Sequence, residues 1–146
     1  MSSLKLYIQR LDLELPDVGY ATSGSSAFDI RSRIQYSFEP GTTVTIPTGI
    51  AVAIPKGWEI QIRSRSGLAA RQGIAVLNAP GTIDEDFRGE IQVILIHCGS
   101  TSFIIERGMR IAQAVLAPVV QAEFEWVNTL PPTQRGEGGL GSTGLH

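Results

Sequence analysis

Pro40-Gly41-Thr42-Thr43-Val44-Thr45-Ile46-Pro47-Thr48-Gly49-Ile50-Ala51-Val52-Ala53-Ile54-Pro55-Lys56-Gly57-Trp58-Glu59-Ile60-Gln61-Ile62-Arg63 is the stretch that decides the fold. Its turn signals, Pro40-Gly41, Pro47-Thr48-Gly49 and Pro55-Lys56-Gly57, fall about eight residues apart. Between them lie Thr43–Ile46 and Ile50–Ile54, short, β-branched and apolar. After them Trp58, Ile60 and Ile62 alternate with Glu59, Gln61 and Arg63, the period of two that marks a strand. Short strands at regular turn spacing predict a β-sandwich or β-barrel. Sequence alone does not choose between the two.

The same signals continue outward. Leu4, Leu6 and Ile8 share one face of a predicted strand; Ile91, Val93 and Leu95 share another, and Phe124 and Trp126 alternate with Glu123 and Glu125. Pro80-Gly81, Arg88-Gly89, Gly99-Ser100 and Arg107-Gly108 punctuate the rest. With 16 Gly and 8 Pro in 146 residues, long helices do not survive. One short helix, two turns at most, is predicted in the segment Ser66–Gly73, with Ser66 as its cap and a Gly at its end. From Pro131 onward the composition is that of a mobile Gly-rich tail. The division is therefore 1–130, one β domain, and 131–146, a tail. The length fits a single domain of about 100–150 residues.

Composition excludes several classes. Hydrophobic residues at 42% are enough for a core. Twelve Lys and Arg against fourteen Asp and Glu leave a net charge of −2, which gives no basic excess for binding DNA or RNA. The lone Cys98 forms no intrachain disulfide and fits a reducing compartment. The start, Met1 to Leu6, lacks the apolar stretch of a signal peptide, and no apolar run is long enough to span a membrane. Cytoplasmic localisation is expected.

Three segments carry chemistry. In Arg63-Ser64-Arg65-Ser66-Gly67-Leu68 a strand runs into a helix start beside two arginines, an arrangement suited to phosphate. Alone, it reads equally as a capped helix with solvated arginines. Asn78 to Glu90 packs Asp84, Glu85, Asp86 and Glu90 around a tight turn, as a general base or water-mediated metal site would; a solvated polar turn is the alternative. Arg135 to Gly144 could wrap phosphates with its N–H groups, or be a disordered end. It is not a Walker loop. His97-Cys98 lacks the partners for a zinc site or a nucleophile pair, and a buried core cysteine is expected.

Together these segments resemble the trimeric dUTPase family. The resemblance rests on five ordered motifs: Ser26 to Ser32, Arg65 to Ala69, Gly81 to Glu90, Gly108 to Gln113, and Arg135 to Gly144. It implies an all-β, jelly-roll-like distorted barrel with one short helix, assembled as a homotrimer. Its active sites are shared, with motifs one, two and four from one subunit, motif three from a second and the tail from a third. The implied reaction is hydrolysis of dUTP to dUMP and pyrophosphate with Mg²⁺, which keeps uracil out of DNA and supplies dUMP for thymidylate synthesis. Asp84 would activate the attacking water. Asn78 and the backbone of Gly81, Thr82 and Ile83 would read uracil, with Gln92 lining the same pocket. Phe87 would lie on the deoxyribose. Arg65, Ser66, Gly67 and Gln113 would hold phosphates, and Asp29 would hold Mg²⁺ through its waters. Arg135, Ser142 and Thr143 would close on the phosphates, with Leu140 and Gly141 over the base.

Three positions depart from the family pattern: Phe87 in place of Tyr, Leu140 in place of Phe, and Ala27 in place of Gly. Leu140 covers a base without stacking on it, so weaker tail closure is expected. Two other functions are consistent with the fold: a dCTP deaminase, or a nucleotide-sensing protein without turnover. The third motif and the full tail argue against the first, and Asp84, Arg65, Gln113 and Arg135 against the second.

Overall fold

A computed structural model describes residues 4–146. Met1–Ser3, part of the start read above, lie outside the described residues. Eleven strands and one helix follow in order: β1 (Tyr7–Arg10), β2 (Phe28–Arg31), β3 (Tyr36–Phe38), β4 (Thr43–Pro47), β5 (Ile50–Ala53), β6 (Trp58–Arg63), α1 (Ser66–Gln72), β7 (Ile74–Val76), β8 (Gly81–Ile83), β9 (Gln92–His97), β10 (Phe103–Ile105) and β11 (Arg110–Pro118).

The opening stretch folds as read, into β4, β5 and β6 with turns between them. Gly49 shows why one of those turns needs glycine: its φ is +74°, and a Cβ there would lie 3.0 Å from Asp12 Cβ and from a Leu15 methyl. The strands pair antiparallel in four small sheets, β2-β11-β6-β8, β4-β9-β7, β1-β5 and β10-β3. They close around one core as a jelly-roll-like distorted barrel. Alternation supplies that core: Ile60 and Ile62 from β6, Val93 and Leu95 from β9, Ile30 from β2, and Ile111, Ala112 and Ala114 from β11 are all buried. Burial of such aliphatic side chains is worth roughly 1.5–3 kcal/mol each.

Four expectations need correction. The strand read from Leu4 begins at Tyr7, and its residues are exposed on both faces; of the Leu4, Leu6 and Ile8 row only Leu6 packs against the core. Phe124 and Trp126 form no strand: after β11 the chain is tied by the Val119 N–H to the Gly57 carbonyl (2.9 Å), and both rings stand in solvent. An alternating pattern becomes a strand only when another strand pairs with it, and none of the described strands pairs with this segment. Ser66 does not cap α1; the N-cap is Arg65, which makes no side-chain cap bond. Cys98 is exposed, and the buried member of the pair is His97. Among the described residues no helix is long and apolar enough to cross a membrane.

Candidate functional site

The first cluster forms where three strands run side by side. On β2, β11 and β6 the register sets Asp29 opposite Gln113 and Gln113 opposite Arg63. The chain leaves β6 through Ser64 and Arg65 into α1, so Arg65, Ser66 and Gly67 arrive beside that row. Arg65 Nε lies 3.1 Å from one oxygen of Asp29, and Arg110 Nε lies 3.5 Å from the other. Arg65 Nη1 also donates to the Arg110 carbonyl (3.4 Å), and Gln113 Nε2 donates to the Ser64 carbonyl (2.9 Å). Asp29 thus holds two guanidinium groups side by side, each still open to solvent on its outer face. The first helical bond of α1 runs from the Ala69 N–H to the Arg65 carbonyl (3.1 Å), and Ser66 and Gly67 precede it.

Arg110 was missed in the sequence. Three residues from Gln113 on a regular strand, it would face away; a register shift between Arg110 and Ala112 brings both to Asp29. Its membership in the Gly108–Gln113 motif was the available signal.

The second cluster lies on β8 and its surroundings. Asn78, Gly81, Thr82, Ile83 and Gln92 line one cavity of about 40 Å³ with Ile62, Val76, Val93 and Ile94. β8 pairs with β6 through Gly81 and Ile62, which brings the backbone of Gly81 close to the Asn78 amide. Past β8 the chain turns at Asp84, whose carbonyl accepts from the Phe87 N–H (3.2 Å). The Phe87 ring is half exposed and folds over Gly89, where a Cβ would lie 2.7 Å from the ring.

The four acidic groups of this turn separate by role. Glu85 accepts from the Gly57 N–H (2.6 Å); Glu90 accepts from the Gly49 N–H (2.8 Å) and pairs with Arg33 (3.1 Å). The Asp84 carboxylate is exposed and makes no hydrogen bond among the described residues. Asp84, Glu85 and Asp86 also border a wide hollow of about 460 Å³ with Lys56, Trp58 and Glu59.

None of Asp29, Arg65, Ser66, Gly67 or Gln113 lines the Asn78 cavity. The two clusters therefore do not share that cavity. The tail forms a third, separate piece. Arg135 Nε donates to the Gly138 carbonyl (2.7 Å), the Ser142 N–H donates to the Gly139 carbonyl (3.0 Å), and Gly141 and Thr143 continue the same turns. Leu140 stands in solvent with φ +47°.

The donor set bears on Mg²⁺. Among the described residues no three of His, Cys, Asp and Glu gather to ligate an ion. Asp29 has each oxygen beside an arginine, so its carboxylate is already neutralised and offers an ion no direct ligand; only contact through water, with phosphate oxygens as the ligands, is compatible with that geometry.

The dUTPase family model matches residues 14–144. The chain belongs to the dUTPase family. The deoxyuridine 5'-triphosphate nucleotidohydrolase of Dictyoglomus turgidum is 50% identical to it over 146 residues, covering 97% of this chain and 99% of the relative. That of Zymomonas mobilis is 51% identical over 144 residues, covering 97% and 99%. The dUTPase of Staphylococcus bacteriophage 80alpha, solved with dUPNHPP, superposes with a TM-score of 0.86 at 25% identity, covering 98% of this chain and all of the phage chain. The chain thus shares sequence with bacterial dUTPases and shape with a phage one.

Proposed function

We propose that this chain hydrolyses dUTP to dUMP and pyrophosphate by attack of water on the α-phosphorus. Support comes first from the family. The observation that carries the residue roles is the pair of clusters, read as two half-sites: a small cavity of mixed polar and apolar lining, with the exposed Asp84 carboxylate one residue beyond it in the chain, and a paired-arginine cluster.

Each group has a task its chemistry suits. Asn78 presents an amide donor and acceptor to the uracil edge, and the backbone of Gly81, Thr82 and Ile83, with Gln92, completes the fixed polar lining. Such a lining discriminates because a wrong base leaves it unpaired. Phe87 offers a ring face to the deoxyribose. Arg65, Ser66, Gly67 and Gln113 hold the triphosphate, and Arg110 adds a further cation beside it. Asp84 orients the water and takes its proton; a carboxylate with no other partner is free to do so. Mg²⁺ bound with the substrate would neutralise phosphate charge, and Asp29 would hold it through its waters. Arg135, Ser142 and Thr143 close over the phosphates, with Leu140 and Gly141 above the base.

The reading includes a homotrimer, as the family resemblance implies. In it a complete site takes the uracil cavity from one subunit and the arginine cluster from another. Exposed apolar side chains on β1 and at Val120, Phe124 and Trp126 offer surface for that assembly. In this reading residues 1–130 are the barrel domain and 131–146 the closing tail. The cytoplasm is the compartment assigned, on the single cysteine.

Product analysis tests the proposal. Purified protein with Mg²⁺ is given dUTP, dCTP, dTTP and UTP separately. Pyrophosphate and dUMP from dUTP alone are expected. Ammonia from dCTP, or silence with all four, overturns it.

A further inference from the structure

The helix that carries Ser66 and Gly67 has no buried residue. Only Leu68 packs, in part, against the core. Its position therefore depends on its ends. At the front, the Ser64 carbonyl is held by Gln113 and Arg65 reaches the Arg110 carbonyl. At the back, Gly73 closes the helix with φ +67° and meets the turn that follows β9. There the Cys98 N–H donates to the Gly73 carbonyl (2.8 Å). A Cβ at Gly73 would lie 2.6 Å from the Gly99 nitrogen, and one at Gly99 would run into the Gln72 carbonyl. The two backbones touch with nothing between them.

His97 shapes that turn from inside. Its side chain is 1% exposed and packs against Phe38, ring centroids 5.2 Å apart. Nδ1 lies 3.1 Å from the Gly99 nitrogen, and Nε2 lies 2.8 Å from the Thr101 carbonyl. A carbonyl only accepts, so Nε2 carries the proton; a backbone N–H only donates, so Nδ1 is bare. The neutral Nε2–H ring is the one form that serves both partners. Gly99, the residue its Nδ1 holds, is the residue packed on the end of α1.

We propose that His97 is a positioning residue for the triphosphate subsite: by holding the Gly99 amide it fixes the back of α1, and with it Ser66 and Gly67. This deepens the functional reading above and rests on it for the role of Ser66 and Gly67.

Two substitutions separate the ring's two nitrogens. His97→Asn keeps an acceptor near the Nδ1 position, and His97→Gln carries its amide out toward Thr101 and gives that acceptor up. Three quantities are read on the full chain: inhibition of dUTP hydrolysis by pyrophosphate, inhibition by deoxyuridine, and amide hydrogen exchange over residues 66–73. In His97→Gln, pyrophosphate inhibition and KM for dUTP weaken about tenfold, kcat stays within about twofold, and exchange over 66–73 quickens. Deoxyuridine inhibition holds, and His97→Asn restores most of the loss. Unchanged pyrophosphate inhibition and exchange in His97→Gln overturn the proposal, as does equal weakening of pyrophosphate and deoxyuridine, which means general loosening. A nitrogen NMR spectrum of the unsubstituted protein adds a test that needs no variant: a proton on His97 Nδ1 at neutral pH overturns it. Failure of the unsubstituted chain to hydrolyse dUTP would instead strike the functional reading, and the exchange result would still decide whether His97 fixes α1.

Discussion

Gly81→Ala adds one methyl group at the back of the Asn78 cavity. Gly81 is buried but does not have a left-handed φ, so the backbone accepts alanine without strain. The new Cβ would lie 3.3 Å from Asn78 Nδ2 and 3.4 Å from Ile62 Cβ. Ile62 is fixed in the core at 3% exposure, so the exposed Asn78 side chain is the neighbour that yields, by a few tenths of an ångström. Crowding of that size costs about 1 kcal/mol of stability, roughly 2–4 °C in Tm for a domain of this length. The functional cost is separate. A displaced Asn78 amide forfeits about one net hydrogen bond to the base, near 1 kcal/mol. KM for dUTP therefore rises about fivefold to tenfold while kcat changes less than about twofold. Steady-state pyrophosphate release and a thermal melt measure the two effects on one preparation. An unchanged KM beside a native Tm would refute the reasoning, because the cavity that Asn78 lines would then not contact the base. A fall in kcat alone would also refute it, since the crowding would then act on the chemical step.

Three further predictions concern single positions. Asp84→Asn lowers kcat about 10²–10⁴-fold and leaves Tm within about 2 °C, since its carboxylate bonds to nothing among the described residues; single-turnover kinetics and a melt check both. Leu140→Phe lowers KM or raises kcat, because the side chain is fully exposed and the larger ring costs no core packing; no change in either counts against the tail's role over the base. The Arg107 guanidinium, hydrogen-bonded to both oxygens of Asp12, holds that carboxyl down to about 2. A carboxyl depressed on folding adds stability above its unfolded value of about 4, and that stability fades as pH falls from there toward 2. Asp12→Asn should flatten this part of the acid limb of an equilibrium unfolding profile; an unaltered limb removes Asp12 from the explanation.

What could be read in advance follows a physical divide. Turns and alternation are local, so β4, β5 and β6 were legible from Pro, Gly and period two. Strand partners are not local: Thr43 pairs with Ile96, and Phe28 with Ala114, and no short-range signal names those matches. Phe124 and Trp126 show the same limit from the other side, a pattern with which no described strand pairs. The cavity residues from Asn78 to Gln92 are nearly contiguous, so their gathering was visible. The Asp29, Arg65 and Gln113 cluster draws on three distant segments and was reachable only through the family resemblance. His97 is a different case. Ile91, Val93 and Leu95 set the inward phase of β9, and His97 continues it; the signal for a buried histidine and an exposed Cys98 was present and was passed over for the general habit of cysteine to be buried.

The proposed sharing of one site between two subunits has a consequence that arithmetic can test. Take Arg65→Ala, which disables the phosphate half, and Asp84→Asn, which disables the uracil half. Each variant alone is inactive whether the site lies within a subunit or between two. Mixed after denaturation and refolding, they give different answers. If each site takes its arginine cluster from one subunit and its Asp84 from the next, a site works when an Asp84→Asn chain supplies the first and an Arg65→Ala chain the second. Random assembly from an equal mixture satisfies both conditions in about a quarter of sites, so about a quarter of the unsubstituted activity returns. If one subunit supplied both halves, every site in the mixture would carry one defect and none would return. The recovered fraction also depends on the mixing ratio as the product of the two chain fractions, so it peaks at equal amounts and falls symmetrically on either side. Activity that stays at the level of the separate variants across all ratios would refute the shared site. It would then require the arginine cluster and the Asn78 cavity of one chain to meet around a single substrate.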